Sequence, residues 1–144
     1  MICNSVQETK NFASGLSKKF QKGQVIALNG HLGSGKTTFT QGIAEGLGIE
    51  QHVGSPTFKL VSEYSGEILR LYHVDCYRLN NSDEFLNLGG ENLLLPDNGI
   101  TLIEWANIIQ ELLPVDVIEI VFSRIKGDRQ KRMIEIRGLV QSNE

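Results

Sequence analysis

Apolar positions along the chain switch between two spacings. Phe12, Ala13, Leu16 and Phe20 fall on one face of a helix. Ahead of them Ser5 and Glu8 form an S-x-x-E capping box, in which hydroxyl and carboxylate satisfy N–H groups that a first helical turn leaves open. A helix is therefore expected from about 5 to 20. The run Val25-Ile26-Ala27-Leu28 inside QVIALNG is continuously apolar, as a strand covered on both faces must be. Phe39, Ile43, Ala44 and Leu47 return to helical spacing, with Gly48 placed as the residue just beyond the helix end.

The second half mixes the periods again. GSPTFKLVSEY and EILRLYHVDCYRL each contain a β-rich apolar run, and Ser65-Gly66 between them suggests a hairpin, so part of the sheet is antiparallel. SDEFLNLGG offers Ser82 as the cap of a short helix, and GITLIEW reads as a buried strand. ANIIQELL reads as a helix stopped before Pro114. DVIEIVFSRI and RMIEIRGLV alternate as two strands around the charged turn KGDRQK. The sum is an α/β fold with a mixed parallel and antiparallel sheet flanked by helices.

Length limits this to one domain: 144 residues suffice for one core and leave little for a second. A net charge of −3 argues against an autonomous nucleic-acid binder, because phosphate neutralisation needs a basic face. No apolar run approaches the roughly 18 residues of a membrane span, and MICNSVQETK lacks the order of a signal peptide. Cys3 and Cys76, far apart and outside any C-x-x-C, read as free thiols of a reducing compartment. The expected location is cytoplasmic.

Chemistry concentrates in NGHLGSGKTT, from Asn29 to Thr38. Gly30, Gly35, Lys36 and Thr37 satisfy G-x-x-x-x-G-K-T, between a predicted strand and a predicted helix. Glycines let successive backbone N–H groups turn inward on an anion. Lys36 would reach the β- and γ-phosphates and Thr37 would offer its hydroxyl to Mg²⁺, with the positive end of the helix dipole behind them.

A phosphate cradle alone only binds; transfer also needs carboxylates. Asp75 follows ILRLYHV and Glu104 follows ITLI, both at carboxyl ends of apolar strands, where an acidic group can take a magnesium ion or its water. The competing readings are a turn or cap carboxylate for Asp75 and a solvated strand end for Glu104; function is favoured for both, more strongly for Glu104. Thr57, in GSPT, reads as a plain turn or as the hydroxyl of a switch loop. Arg124 to Arg132 carries five basic residues and one acidic, which is either a solvated turn or a source of Arg129 or Arg132 for nucleotide or partner. Trp105 is either core or close to the metal side. His31, His52 and His73 share no ligand spacing and are expected to be structural or at the surface.

Taken in order, GHLGSGKTTFTQGIAEGLGI, SPTFKLVSEY, LYHVDCYRL and LIEWA resemble the TsaE (YjeE) family, from about Glu8 and Thr9 to Arg132. H-x-D-x-Y-R-L followed by I-E-W is far more specific than the cradle. The resemblance implies a P-loop NTPase fold and an ATPase using Mg-ATP, weak alone and activated by two partners, TsaB and TsaD. The process implied is transfer of a threonylcarbamoyl group to adenosine 37 of tRNAs reading codons that begin with A. The subunit would drive a conformational reset, touch tRNA only through the complex and be monomeric by itself. It implies nucleotide binding by Leu32, Gly33, Ser34, Gly35, Lys36, Thr37 and Thr38, with Thr9 and Arg129 nearby. Thr37 and Glu104 would lie at the metal, Asp75 on the metal or attacking-water side, and Thr57 on the switch loop. Two other readings of the residues remain: a small-molecule kinase with KGDRQKR as lid, and a nucleotide-dependent switch module. The absence of N-K-x-D favours ATP over GTP.

Overall fold

The computed structural model describes residues 1–30, 35–54 and 60–138, except the side chains of Arg129 and Gln130. Seven strands form one sheet: β1 (Ile2–Cys3), β2 (Val25–Asn29), β3 (Val61–Tyr64), β4 (Arg70–Asp75), β5 (Gly99–Glu104), β6 (Ile118–Ile125) and β7 (Asp128–Arg137). Their order is β1-β7-β6-β2-β5-β4-β3. The inner strands β6, β2, β5 and β4 run parallel, while β3 and β7 close the two sides antiparallel. The mixed α/β sheet expected from the sequence is therefore present. The continuous apolar runs lie at its centre, where both faces are covered: every residue of β5 is buried.

Helices α1 (Val6–Ser17) and α2 (Lys36–Gly46) cover one face. Beneath them lie Ile26 and Leu28 of β2, Leu71 of β4, Ile100 and Leu102 of β5, and Ile118, Ile120 and Phe122 of β6. Phe39 of α2 meets Phe122 edge-on, with ring centroids 5.2 Å apart, a geometry aromatic pairs favour. The other face holds Val25, Ala27, Val74 and Ile103 under α3 (Ser82–Asn87) and a 3₁₀ segment, Ala106–Leu112. α1 and α2 touch through glycine: a Cβ on Gly42 would stand 2.6 Å from the Lys10 carbonyl oxygen and 2.7 Å from the Ala13 Cβ. Among the described residues no helix is long and apolar enough to cross a membrane.

Local signals held at most boundaries. Ser5 Oγ accepts from the Glu8 N–H at 3.1 Å. The helix ends at Ser17, three residues before the expected limit, and Phe20 still reaches the core from the following turn. Gly48 takes φ 79 beyond α2, as its position demanded. The cap of α3 is Asn81 rather than Ser82, because the Asn81 side chain accepts from the Glu84 N–H. Ser82, inside the helix, turns its hydroxyl to the Ile108 carbonyl and to Glu111. ANIIQELL forms a kinked 3₁₀ segment instead of a regular helix, with Ile109 at φ −114. The basic turn shrinks to Lys126-Gly127, since β7 already begins at Asp128. β1 had gone unseen: two residues carry no period.

Candidate functional site

The site forms at the carboxyl ends of the parallel strands, where β2 hands over to α2. Gly35 caps α2 at φ 101, a backbone that a residue with a Cβ adopts only under strain. Gly30 leaves β2 at φ 155. Lys36, the first residue of α2, is only 6% exposed. Its ammonium donates to the Gly30 carbonyl at 3.0 Å and sits 4.4 Å from the centroid of the Trp105 ring. Burial pulls the Lys36 pKa below its ordinary value, and the carboxylates of Glu104 and Asp75 pull the other way. An ammonium so poor in water needs anionic company.

That company comes from β4 and β5. Asp75 and Glu104 are register partners at the last rung of a parallel ladder. Both follow the alternation that puts Leu71 and Leu102 under α1 and α2, so both carboxylates stand on the α2 side. Burial raises the Asp75 pKa; Glu104 raises it further, while the Tyr77 N–H, His73 and Lys36 oppose the rise. Asp75 Oδ1 accepts that N–H at 2.9 Å, so the turn reading and the site reading apply to one carboxylate. Glu104 is 5% exposed and not a solvated strand end. Its Oε2 lies 2.6 Å from Nε2 of His73, which is fully buried.

Thr37 and Thr38 occupy the first turn of α2, Thr37 exposed and Thr38 half-buried. Thr9 lies on α1, buried, with its hydroxyl on the Ser5 carbonyl at 3.2 Å. α1 runs parallel to α2, Lys10 and Ala13 facing Gly42 and Ser14 and Ser17 facing Gly46, so Thr9 stands level with the middle of α2, about a turn beyond Lys36. Arg132 of β7 brings its side chain to Gly35, with Cγ 3.8 Å from where a Cβ would be. Arg129 is the second residue of the same strand, but its side chain is outside the described residues, as are Leu32, Gly33, Ser34 and Thr57. A cleft of about 780 Å³ opens beside Lys36, walled by Asn29, Gly30, Trp105, Asn107 and Ser123 among others.

His73, expected to be structural or at the surface, is buried, and what the sequence reading did not anticipate is its contact with Glu104. The signal existed: a histidine two places before Asp75 on one strand shares its face. Trp105, left undecided, is placed by its ring on Lys36 and by a second contact, 4.9 Å between centroids, with Tyr77.

The oxygen donors at hand, the Thr37 hydroxyl and the Asp75 and Glu104 carboxylates, are the hard ligands a magnesium ion takes. Among the described residues no three His, Cys, Asp or Glu side chains gather into a metal cage. Magnesium held mainly through substrate phosphates needs none. The residues present therefore fit Mg²⁺ carried with a nucleotide.

Comparison with known proteins gives a consistent result. A family model described as "Threonylcarbamoyl adenosine biosynthesis protein TsaE" matches residues 3–134. The tRNA threonylcarbamoyladenosine biosynthesis protein TsaE of Bacillus subtilis is 44% identical over 126 residues, spanning 87% of this chain and 77% of that protein. The protein of the same name from Borreliella burgdorferi is 34% identical over 140 residues, covering 96% of this chain and 100% of its own length. Among solved structures, that of Bacillus subtilis YdiB superposes with a TM-score of 0.74 at 36% identity, over 97% of this chain and 84% of that one.

Proposed function

The chain belongs to the TsaE family, and from that membership we propose that it binds Mg-ATP and hydrolyses it to ADP and phosphate in the service of tRNA threonylcarbamoyladenosine formation. Its partners would be TsaB and TsaD, and the energy would reset the complex after threonylcarbamoyl transfer to adenosine 37. One observation carries the ATPase reading: Asp75 and Glu104 end adjacent parallel strands as register partners, beside a buried Lys36 ammonium that feels both charges. A cation alone would hold a phosphate; the paired carboxylates supply what hydrolysis adds to holding.

Each residue has a defined part in this reading. Gly35 lets the chain enter α2 so that its first N–H groups point at an anion, and the helix dipole adds to their pull. Lys36 exchanges the Gly30 carbonyl for a phosphate oxygen, a stronger acceptor because it is charged. Thr37, Asp75 and Glu104 provide the oxygens for Mg²⁺. The ion, when bound, supplies positive charge where phosphate oxygens become more negative. Asp75, the more exposed carboxylate, would orient the attacking water. Arg132, beside Gly35, adds a guanidinium at the rim of the cradle.

The test is phosphate release from Mg-ATP by the protein alone and with TsaB and TsaD added, Lys36→Ala serving as blank. Feeble release that rises with the partners supports the proposal. Release that is equal with and without them, or equal in Lys36→Ala, overturns it.

A further inference from the structure

His73 has no part in phosphate binding or metal ligation as set out above. It is fully buried, so it cannot touch a nucleotide. Its Nε2 lies 2.6 Å from Glu104 Oε2, while its Nδ1 finds no hydrogen-bond partner among the described residues. A histidine kept only for packing is an expensive choice here. Leaving a buried polar atom bare costs about 1–3 kcal/mol, and an aliphatic residue such as the neighbouring Leu71 or Leu102 would carry no such cost. The half-satisfied ring therefore points to its satisfied half.

Glu104 has reasons to need holding. It is nearly buried and stands beside a second carboxylate, Asp75, in the same ladder rung. Like charges that close push a flexible carboxylate away. An N–H donor on a β-strand, fixed by packing on both sides, restrains it. We propose that His73 is a positioning residue for the ATPase: its imidazole N–H pins Oε2 of Glu104, so that Oε1 is the oxygen left for Mg²⁺ or a water of its shell. This rests on the Mg-ATP reading above. Partners that orient a ligating carboxylate in this way typically contribute about 10–100-fold in metal affinity or activity.

The experiment compares His73→Leu, His73→Gln and His73→Asn with wild type. Phosphate release gives kcat, KM and the Mg²⁺ concentration for half-maximal rate. Calorimetry gives ATP affinity with EDTA and with Mg²⁺, and thermal unfolding reports folding. His73→Leu should lower kcat and raise the Mg²⁺ requirement, each by about 10–100-fold. Its metal-free ATP affinity should stay near wild type, because the cradle is untouched. A glutamine amide reaches about as far as imidazole Nε2, so His73→Gln should recover most of the loss; His73→Asn, whose amide is shorter, should not. A folded His73→Leu with unchanged kcat and Mg²⁺ requirement overturns the proposal. If the leucine variant does not fold, glutamine and asparagine variants that behave alike overturn it equally. A wild type that fails to bind Mg-ATP overturns the ATPase reading itself, and this role with it.

Discussion

Two glycines inside helices ask the packing of α1 on α2 opposite questions. Gly15 is exposed on α1, and a Cβ added there meets nothing within 4 Å. Gly42 lies within α2, where a Cβ would stand 2.6 Å from the Lys10 carbonyl oxygen, 2.7 Å from the Ala13 Cβ and 2.9 Å from the Lys10 Cα. Alanine at either site gains helix propensity, about 1 kcal/mol. Gly15→Ala keeps that gain. For a chain of this size it should raise Tm by roughly 2–4 °C. Gly42→Ala must push backbone apart, because carbonyl oxygen and Cα cannot rotate aside as a side-chain tip can. Overpacking costs about 1–3 kcal/mol, and rigid neighbours put this case at the upper end. After the propensity gain the net loss is about 2 kcal/mol, a fall in Tm of roughly 4–8 °C. Since α2 begins at Lys36, its displacement should also weaken ATP binding. Circular dichroism melts and calorimetry read both effects. A Gly42→Ala protein as stable as wild type would refute the close approach of the two helices, and a destabilised Gly15→Ala would refute the helical state of α1 at that turn.

Removing the ammonium in Lys36→Ala should abolish measurable ATP binding by calorimetry and change the emission of Trp105, the single tryptophan, before any nucleotide is added, because the cation leaves the indole face. Retained affinity would sink the cradle assignment. Glu104→Gln keeps the shape beside His73 but removes the charge, and should bind nucleotide while losing turnover by about 100-fold or more, the scale of one preorganised electrostatic group. Unchanged phosphate release would remove Glu104 from the chemistry. Burial, with Asp75 adding to it, pushes the Cys76 thiol up to about 12 from 9.0. Its thiolate fraction at neutral pH should therefore be about 1000-fold below that of an ordinary cysteine, so alkylation should require unfolding. Rapid labelling of Cys76 in the native protein, located by mass spectrometry, would contradict that.

The elements legible in the sequence are those with a period or a fixed chemistry. Val25-Ile26-Ala27-Leu28 and GITLIEW gave the buried centre of the sheet because only a doubly covered strand tolerates continuous apolar residues. Gly35-Lys36-Thr37 gave the head of α2 because anion binding restricts which residues stand there. The cap of α3 was misread by one residue because Asn81 and Ser82 are both good caps, and only the backbone decides which lies outside the helix. The pairing of Asp75 with Glu104 needed the strand register, and so did the use of His73, whose partner is 31 residues away. Strand ends could be read one at a time; what they face could not.

Trp105 shows how such a site compensates for its own strain. Among the described residues it is the one non-glycine with positive φ, at φ 58 and ψ 39. A left-handed residue of this kind costs about 1–2 kcal/mol. At this left-handed residue the strand ends and the 3₁₀ segment starts, and its indole both packs on the α3-side cluster and meets the Lys36 ammonium. A desolvated cation–π contact returns up to about 2 kcal/mol, and the tilted ring pair with Tyr77 about 0.5–1.5 kcal/mol. Both offsets come from residues of the site, Lys36 at the head of α2 and Tyr77 just after Asp75. Anything that draws the ammonium toward an anion removes part of what holds the indole in its strained pose. The conformation of Trp105 and the occupation of Lys36 are thus coupled by geometry, and the chain leaving Glu104 inherits that coupling through its first residue.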